Sequence, residues 1–535
     1  MPTRPGAEPR GRSSEGATPP ALSAEAHRIL AYASAIGPEF DFGLLVDAMG
    51  SDEEALAEQL ERLVQRGVLS ERAGGERFAF TEEGFRAGIY RSLTESRLRV
   101  LHRKIAEVLE RREPDPSPAV LSELGRHFFL GKIPEKSYEY NRRAAAAARA
   151  AQETDVAIHH LERAAVDLAA LGGDRREERA EIAETLGDLC YSASRFRAAD
   201  RYYEEALGQI GGTEPRFRAR LLLARAEVAR ENLDADAAAA GAGQALTLFE
   251  AAGDRVGVAQ SYRLLGRIAF QQGVYREALD ESMRALESLP EGADSSVIGQ
   301  LSIDIGNAFA MLGEEVRPVA IEWYERAVKR LRASHAQVDL TRALHNLGVA
   351  VGEDRPQDGL EYLREAREVA EAAHDARALG RALLSGVEMR LTLGQVEEAE
   401  RDNEQAGRLL EQLADSLGLE QVEATRGLIA ERAGRWEEAE VAYERAAEMA
   451  RANHIVADEA EARFYLARLR YKTRDLDGAR TAFRQATELQ VTELSPRLAR
   501  AYALLERDLA ADGASSGGAE RSDAGVPTVR GGRGL

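Results

Sequence analysis

Nine histidines, one cysteine and five lysines are the residues of this 535-residue chain whose types suit catalysis or metal binding. The histidines are His27, His102, His127, His159, His160, His335, His345, His374 and His454. They form no H-E-x-x-H, and no two stand four apart on one helix, so zinc ligation has no basis in their spacing. His159 and His160 are adjacent and face different directions on a helix. Cys190 stands alone, which excludes an intrachain disulfide and a cysteine-based zinc site. In its apolar surroundings it reads as a small core filler. No lysine completes G-x-x-x-x-G-K-[ST]: Gly131-Lys132 is followed by Ile133 and lacks the first glycine. The carboxylates are dispersed, and no Ser-His-Asp arrangement emerges. The expectation is a protein that is not an enzyme, with no catalytic residue, no cofactor and no metal.

Charge points the same way. The formal net charge is −20, against a role in coating nucleic acid. With 44% hydrophobic and 30% charged residues the chain is foldable, and 16 prolines with 6% aromatics favour long helices. No secretory apolar run and no stretch of about 20 apolar residues occurs, so a membrane is not an expected partner and the cytoplasm is the expected compartment. Residues 1–22 and 511–535 are rich in Gly, Ser, Pro or Arg and read as disordered tails. Arg530 and Arg533 lie in the second, an Arg-Gly ending of a kind that touches RNA, but nearby acids balance them.

The elements that would position any site are set by a repeat. Small residues recur at Gly187, Ala226, Gly266, Gly306, Gly348, Gly386, Gly427 and Ala467, spaced 39, 40, 40, 42, 38, 41 and 40. Gly187, Gly266, Gly306, Gly348 and Ala467 each follow an apolar residue in one amphipathic stretch. A turn comes next, as at Gly273, Gly313, Gly394 and Gly434, and then a second stretch with an aromatic and an alanine, as in Tyr275 with Ala278 or Trp436 with Ala439 and Tyr443. The small residue belongs where two helices approach closely. One pair cannot bury its apolar face alone, so neighbouring pairs must stack.

These residues resemble the tetratricopeptide repeat. The family's small first-helix residue falls on Gly187, Gly266, Gly306, Gly348 and Gly427, its turn residue on Gly273, Gly313 and Gly434, and its second-helix alanine on Ala278, Ala439 and Ala479. The period is about 40 rather than 34, as in the long-helix variants of kinesin light chain and MalT-type regulators. The resemblance implies an all-α, right-handed α-solenoid over residues 151–510 that binds protein or peptide in the groove lined by first helices. Ligand positions of the family map to Arg263, Arg267, Asn307, Arg342, His345, Asn346 and Arg390. Arginine forks grip carboxylates bidentately, so an acidic peptide is the expected ligand.

Residues 23–95 do not follow the period. Ser23 opens a helix that ends at Gly37-Pro38, and Phe42 to Met49 forms a second that Gly50 stops. A third, Ala55 to Arg66, is capped from Ser51 and Glu54 and ends at Gly67. A hairpin follows around Gly74-Gly75. Three helices and a hairpin read as a winged helix. The continuation through residues 96–150, from Ile89-Tyr90-Arg91 and His102-Arg103-Lys104 to Arg126-His127-Phe128, resembles the helical connector of STAND-type predicted ATPases. There it links an NTPase core to tetratricopeptide repeats. That family's P-loop domain is not matched, so no nucleotide chemistry carries over. Residues 23–95 hold 14 acids against 7 bases, unfavourable for phosphate contact. A regulatory protein-binding scaffold is therefore the expected function. The alternatives are a transcription regulator that binds DNA through the winged helix, and a regulatory subunit of a separately encoded STAND-type NTPase.

Overall fold

The computed structural model describes residues 22–210, 214–334, 336–489, 491 and 496–514. Of the two tails expected to be disordered, residues 1–21 and 515–535 lie outside the described residues, as does His335. Among the described residues the chain is an all-α solenoid apart from one small sheet, and it divides into two compact units between Asn232 and Leu233.

The first unit opens with α1 (Ala24–Ile36), β1 (Glu39–Asp41), α2 (Phe42–Met49), α3 (Glu53–Gln65), β2 (Leu69–Arg72) and β3 (Arg77–Phe80). The strands form an antiparallel sheet in the order β1-β3-β2, with Phe40 opposite Phe78. Local chemistry sets the ends of these helices. The Ser23 hydroxyl accepts from the Ala26 N–H at 3.1 Å, and Gly50 takes the left-handed conformation that closes α2. The cap of α3 is Asp52 rather than Ser51: its carboxylate accepts from the Ala55 N–H at 3.0 Å, one residue later than the Ser-x-x-Glu spacing suggests. Ile29, Leu30, Leu45, Leu60, Leu63 and Leu69 share one core with Ile105 and Phe128 of the helices that follow.

Those helices are α4 (Glu83–Ser92), α5 (Glu95–Arg112), α6 (Pro118–Gly131), α7 (Pro134–Ala150), α8 (Thr154–Leu171), α9 (Arg176–Ser192), α10 (Phe196–Gln209) and α11 (Pro215–Glu231). From α5 onward each packs against the next.

The second unit begins with α12 (Ala235–Ala251). Six helix pairs then follow: α13 (Arg255–Gln271) with α14 (Tyr275–Ser288), α15 (Ser295–Leu312) with α16 (Arg317–Arg332), α17 (Gln337–Gly352) with α18 (Pro356–Ala372), α19 (Ala376–Thr392) with α20 (Val396–Gln412), α21 (Ser416–Arg432) with α22 (Trp436–Ala452), and α23 (Val456–Lys472) with α24 (Leu476–Glu488). The helix α25 (Pro496–Ala514) packs on α23 and α24. The first helices also touch one another, α13 on α15, α15 on α17, α17 on α19 and α19 on α21, and so form a continuous layer. Alanine supplies much of the seam. Ala278, Ala320, Ala399, Ala439 and Ala479 of the second helices are all buried, because only a methyl fits between helices this close.

Candidate functional site

At three repeats the small first-helix residue makes room for an aromatic ring. A Cβ on Gly306 would lie 2.6 Å from the ring of Tyr324, which is buried against it from α16. The missing side chain lets the ring cross the interface, and its hydroxyl donates to Oδ1 of Asn307 at 2.8 Å. The device recurs. Tyr443 of α22 lies on Gly427 and donates to Glu431 at 2.8 Å; in the first unit Tyr203 lies on Gly187 and donates to Asp188 at 2.8 Å. A second-helix aromatic thus reaches through the pair and fixes a polar residue of the first helix.

From Asn307 a chain of hydrogen bonds crosses three first helices. Asn346 Nδ2 of α17 donates to Asn307 Oδ1 at 2.8 Å, His345 Nδ1 meets Asn346 Oδ1 at 3.1 Å, and Ser385 Oγ of α19 meets His345 Nε2 at 2.9 Å. The directions follow from the chemistry. Asn346 Oδ1 only accepts, so Nδ1 of His345 carries the proton, Nε2 accepts, and Ser385 donates. Burial lowers the His345 pKa, which keeps the imidazole neutral as this chain requires.

A second chain runs parallel to the first. Arg263 of α13 donates to Asp304 and to Gln300 of α15, both at 2.6 Å. Gln300 in turn donates to Asp339 of α17 at 2.6 Å, and Arg342 closes on Asp339 at 3.0 Å. Asp304 and Asp339 are largely sheltered, with 13% and 18% of their side chains exposed, so these are screened less than surface pairs.

All seven sequence-derived positions therefore lie on the first helices that carry the two chains. Arg263, Arg342, Asn307, His345 and Asn346 are links in them, and Arg267 lies half-buried one turn beyond Arg263. Arg390 is placed differently: it turns to the second helix of its own pair, donating to Asp402 of α20 at 2.7 Å and to Gln395 at 3.2 Å. The acids that neutralise the arginines, Asp304, Asp339 and Asp402, and the relay residues Gln300 and Ser385, were not among the sequence candidates. Their signal was the period itself. The bonded residues stand 41, 37, 39, 39 and 40 positions apart for Arg263–Asp304, Arg263–Gln300, Gln300–Asp339, Asn307–Asn346 and His345–Ser385.

Farther along, Glu431 of α21 is buried and accepts from Tyr443, Arg468 Nη2 and Lys472 Nζ, each at 2.8 Å. Burial alone would raise its pKa, but Arg468 and Lys472 hold it below the usual value. Glu420 of the same helix is the opposite case. It is 3% exposed, and burial, with Asp458 and Glu461 of α23 nearby, pushes its pKa up to about 8.

The first unit holds a buried histidine pair. His102 and His127 meet through their Nδ1 atoms at 2.8 Å, Tyr90 meets His102 Nε2 at 2.9 Å, and Arg126 meets His127 Nε2 at 2.8 Å. Arginine can only donate, so both tautomers are fixed: His127 donates to His102, which donates to Tyr90. Arg126 also donates to the Ile36 carbonyl at the end of α1 at 2.6 Å. Cys190 is buried, and burial raises its thiol pKa. Among the described residues no three of His, Cys, Asp and Glu are grouped to hold a metal ion, and no helix is long and apolar enough to cross a membrane.

No family model and no curated protein matches the chain. Solved structures do resemble it. A STAND protein with a tetratricopeptide repeat sensor from Pyrococcus horikoshii is 12% identical with a TM-score of 0.48, over 91% of this chain and 66% of that one. Aspartyl phosphate phosphatase F from Bacillus subtilis is 17% identical with a TM-score of 0.46, over 69% of this chain and 94% of that one. The apo form of RapI is 11% identical with a TM-score of 0.45, over 51% and 97%. The chain spans about two-thirds of the length of the STAND protein.

Proposed function

We propose that this chain is a non-catalytic regulatory scaffold that binds a peptide segment of a partner protein along the layer of first helices in its second unit. The supporting observation is the pair of hydrogen-bonded chains from Arg263 to Ser385, which link polar groups across four consecutive first helices. Such a row suits an extended peptide, whose backbone groups repeat. Asn307, His345 and Asn346 would exchange hydrogen bonds with that backbone, and Arg263, Arg267 and Arg342 would receive acidic side chains in competition with Asp304 and Asp339. Arg390 would join them only by leaving Asp402. An acidic peptide is the ligand this reading favours.

We read residues 23–95 as a winged helix, which the order α1-β1-α2-α3-β2-β3 supports. It serves protein contact rather than DNA. The exposed face of α3 presents Glu53, Glu54, Glu58 and Glu61 beside Arg62, and Arg62 is itself tied to Glu58 at 3.3 Å. Affinity capture on the full-length chain, followed by mass spectrometry, tests the main reading. Capture should be lost in the Arg263→Glu, Arg342→Glu double variant with unchanged circular dichroism. Undiminished capture by that variant would remove the first-helix face from the proposal.

A further inference from the structure

Arg263, Arg342 and Arg390 of the first-helix layer are committed to internal acids, but two arginines on a second helix are not. Arg326 and Arg330 stand one turn apart on α16, both exposed, with no ion-pair partner among the described residues. With Leu286, Leu289, Pro290 and Ile298 they line an open cleft of about 330 Å³. The walls are fixed. Arg255 donates to the carbonyls of Ser288 at 3.0 Å and Leu289 at 2.9 Å, which ties down the end of α14. The turn beyond closes through the Ala293 N–H to the Pro290 carbonyl at 3.1 Å, with Gly292 at φ 78°. Arg326 is steadied by the Trp323 ring, 4.8 Å from its guanidinium. Of the nearby acids, Asp294 is turned to the backbone of α15, accepting from the Ser296 N–H at 2.7 Å, and Glu291 on the rim makes no ion pair with either arginine.

Apolar residues beside two guanidiniums that carry no ion pair suit an apolar side chain next to a carboxylate. We infer that this cleft is a second contact point for the partner, holding a leucine-like residue on Leu286, Leu289 and Ile298 and an adjacent aspartate or glutamate between Arg326 and Arg330. The volume is at the low end of small-ligand sites, matching one side chain and its neighbour rather than a folded domain. The inference rests on the reading of the chain as a peptide-binding scaffold, and it places a carboxylate contact on two arginines that no internal ion pair holds.

The test is fluorescence anisotropy with the full-length chain and a labelled, amidated octapeptide that carries one leucine beside two glutamates. The peptide should bind, and its counterpart with glutamines should bind about tenfold more weakly, as loss of charge-assisted bonds predicts. Arg326→Glu with Arg330→Glu should weaken the acidic peptide by at least about tenfold, and Arg480→Glu, at an exposed arginine of α24 outside both surfaces, should leave it unchanged. No binding to the unaltered chain, equal binding of the glutamine peptide, or full binding by the double variant overturns the inference. Loss through Arg342→Glu alone also overturns it, while leaving the first-helix face intact as the binding surface. The protein-capture experiment reports on that face separately.

Discussion

The ring of Tyr324 occupies the space that a side chain on Gly306 would need, and its hydroxyl bonds the very next residue, Asn307. One interaction thus joins the closest approach of two helices to the positioning of a polar group on the first-helix layer. Gly306→Ala should destabilise the second unit despite alanine's better helix propensity. Overpacking costs about 1–3 kcal/mol and propensity returns at most about 1. Gly243→Ala is the control: nothing lies within 4 Å of a Cβ there, and it should be neutral or stabilising. Urea unfolding of both variants decides the matter; equal stability would refute the role given to Gly306.

Asn307 receives two donors, so its loss strands both. Asn307→Ala should cost about 1–3 kcal/mol, because the buried Tyr324 hydroxyl and the Asn346 amide lose their acceptor. A double-mutant cycle with Asn346→Ala should give a coupling of about 0.5–3 kcal/mol, as for residues in one network. Strict additivity would mean the two side chains do not communicate.

The His102–His127 pair makes the first unit sensitive to acid. Burial, and to a lesser degree the Arg126 charge, depresses the His102 pKa from 6.5 to about 4, and burial likewise holds His127 well below its ordinary value. In the unfolded chain each histidine takes a proton as pH falls through about 6.5, while the folded chain refuses it. Their contribution is therefore fully present above about pH 6.5 and lost as pH drops toward 4. From His102 alone the loss is about 2 kcal/mol between pH 7 and 5. Denaturation of the full chain across that range should show the decline, and His102→Gln with His127→Gln should flatten it.

Glu420 should respond in the reverse sense. Its folded pKa is raised to about 8, by burial first and then by Asp458 and Glu461, so the cost of ionising it grows as pH climbs from 4.5 through 8. Glu420→Gln should stabilise the second unit by about 1–3 kcal/mol at pH 8, and by less at pH 5. Melting curves at the two values supply the comparison; a variant less stable at pH 8 would contradict it.

Much of this was legible in the sequence because close packing leaves few choices. Gly306 and Gly427 must be small where a tyrosine lies across the helix, and Ala278 and Ala439 must be small at the seam, so the period of about 40 is written in residue types. Other features depend on relations that residue types do not carry. β1 is three residues long and exists only because β3 pairs with it. The choice of Asp52 over Ser51 as a cap turns on one residue of helix phase. Arg390 falls at a first-helix position where the family's ligand contacts lie, yet Asp402 twelve residues later draws it to the second helix. His102 and His127 lie 25 apart on different helices, so no linear spacing announces their contact.

The bonds from Asn307 to Asn346 and from His345 to Ser385 each step one period along the chain. A single residue inserted in α17 ahead of His345 would swing both side chains by about 100° and sever the links on either side. Growth or shrinkage of this chain is thereby quantised: lengthening by whole modules preserves the alignment of the polar rows, and any fractional change throws the neighbouring modules out of phase.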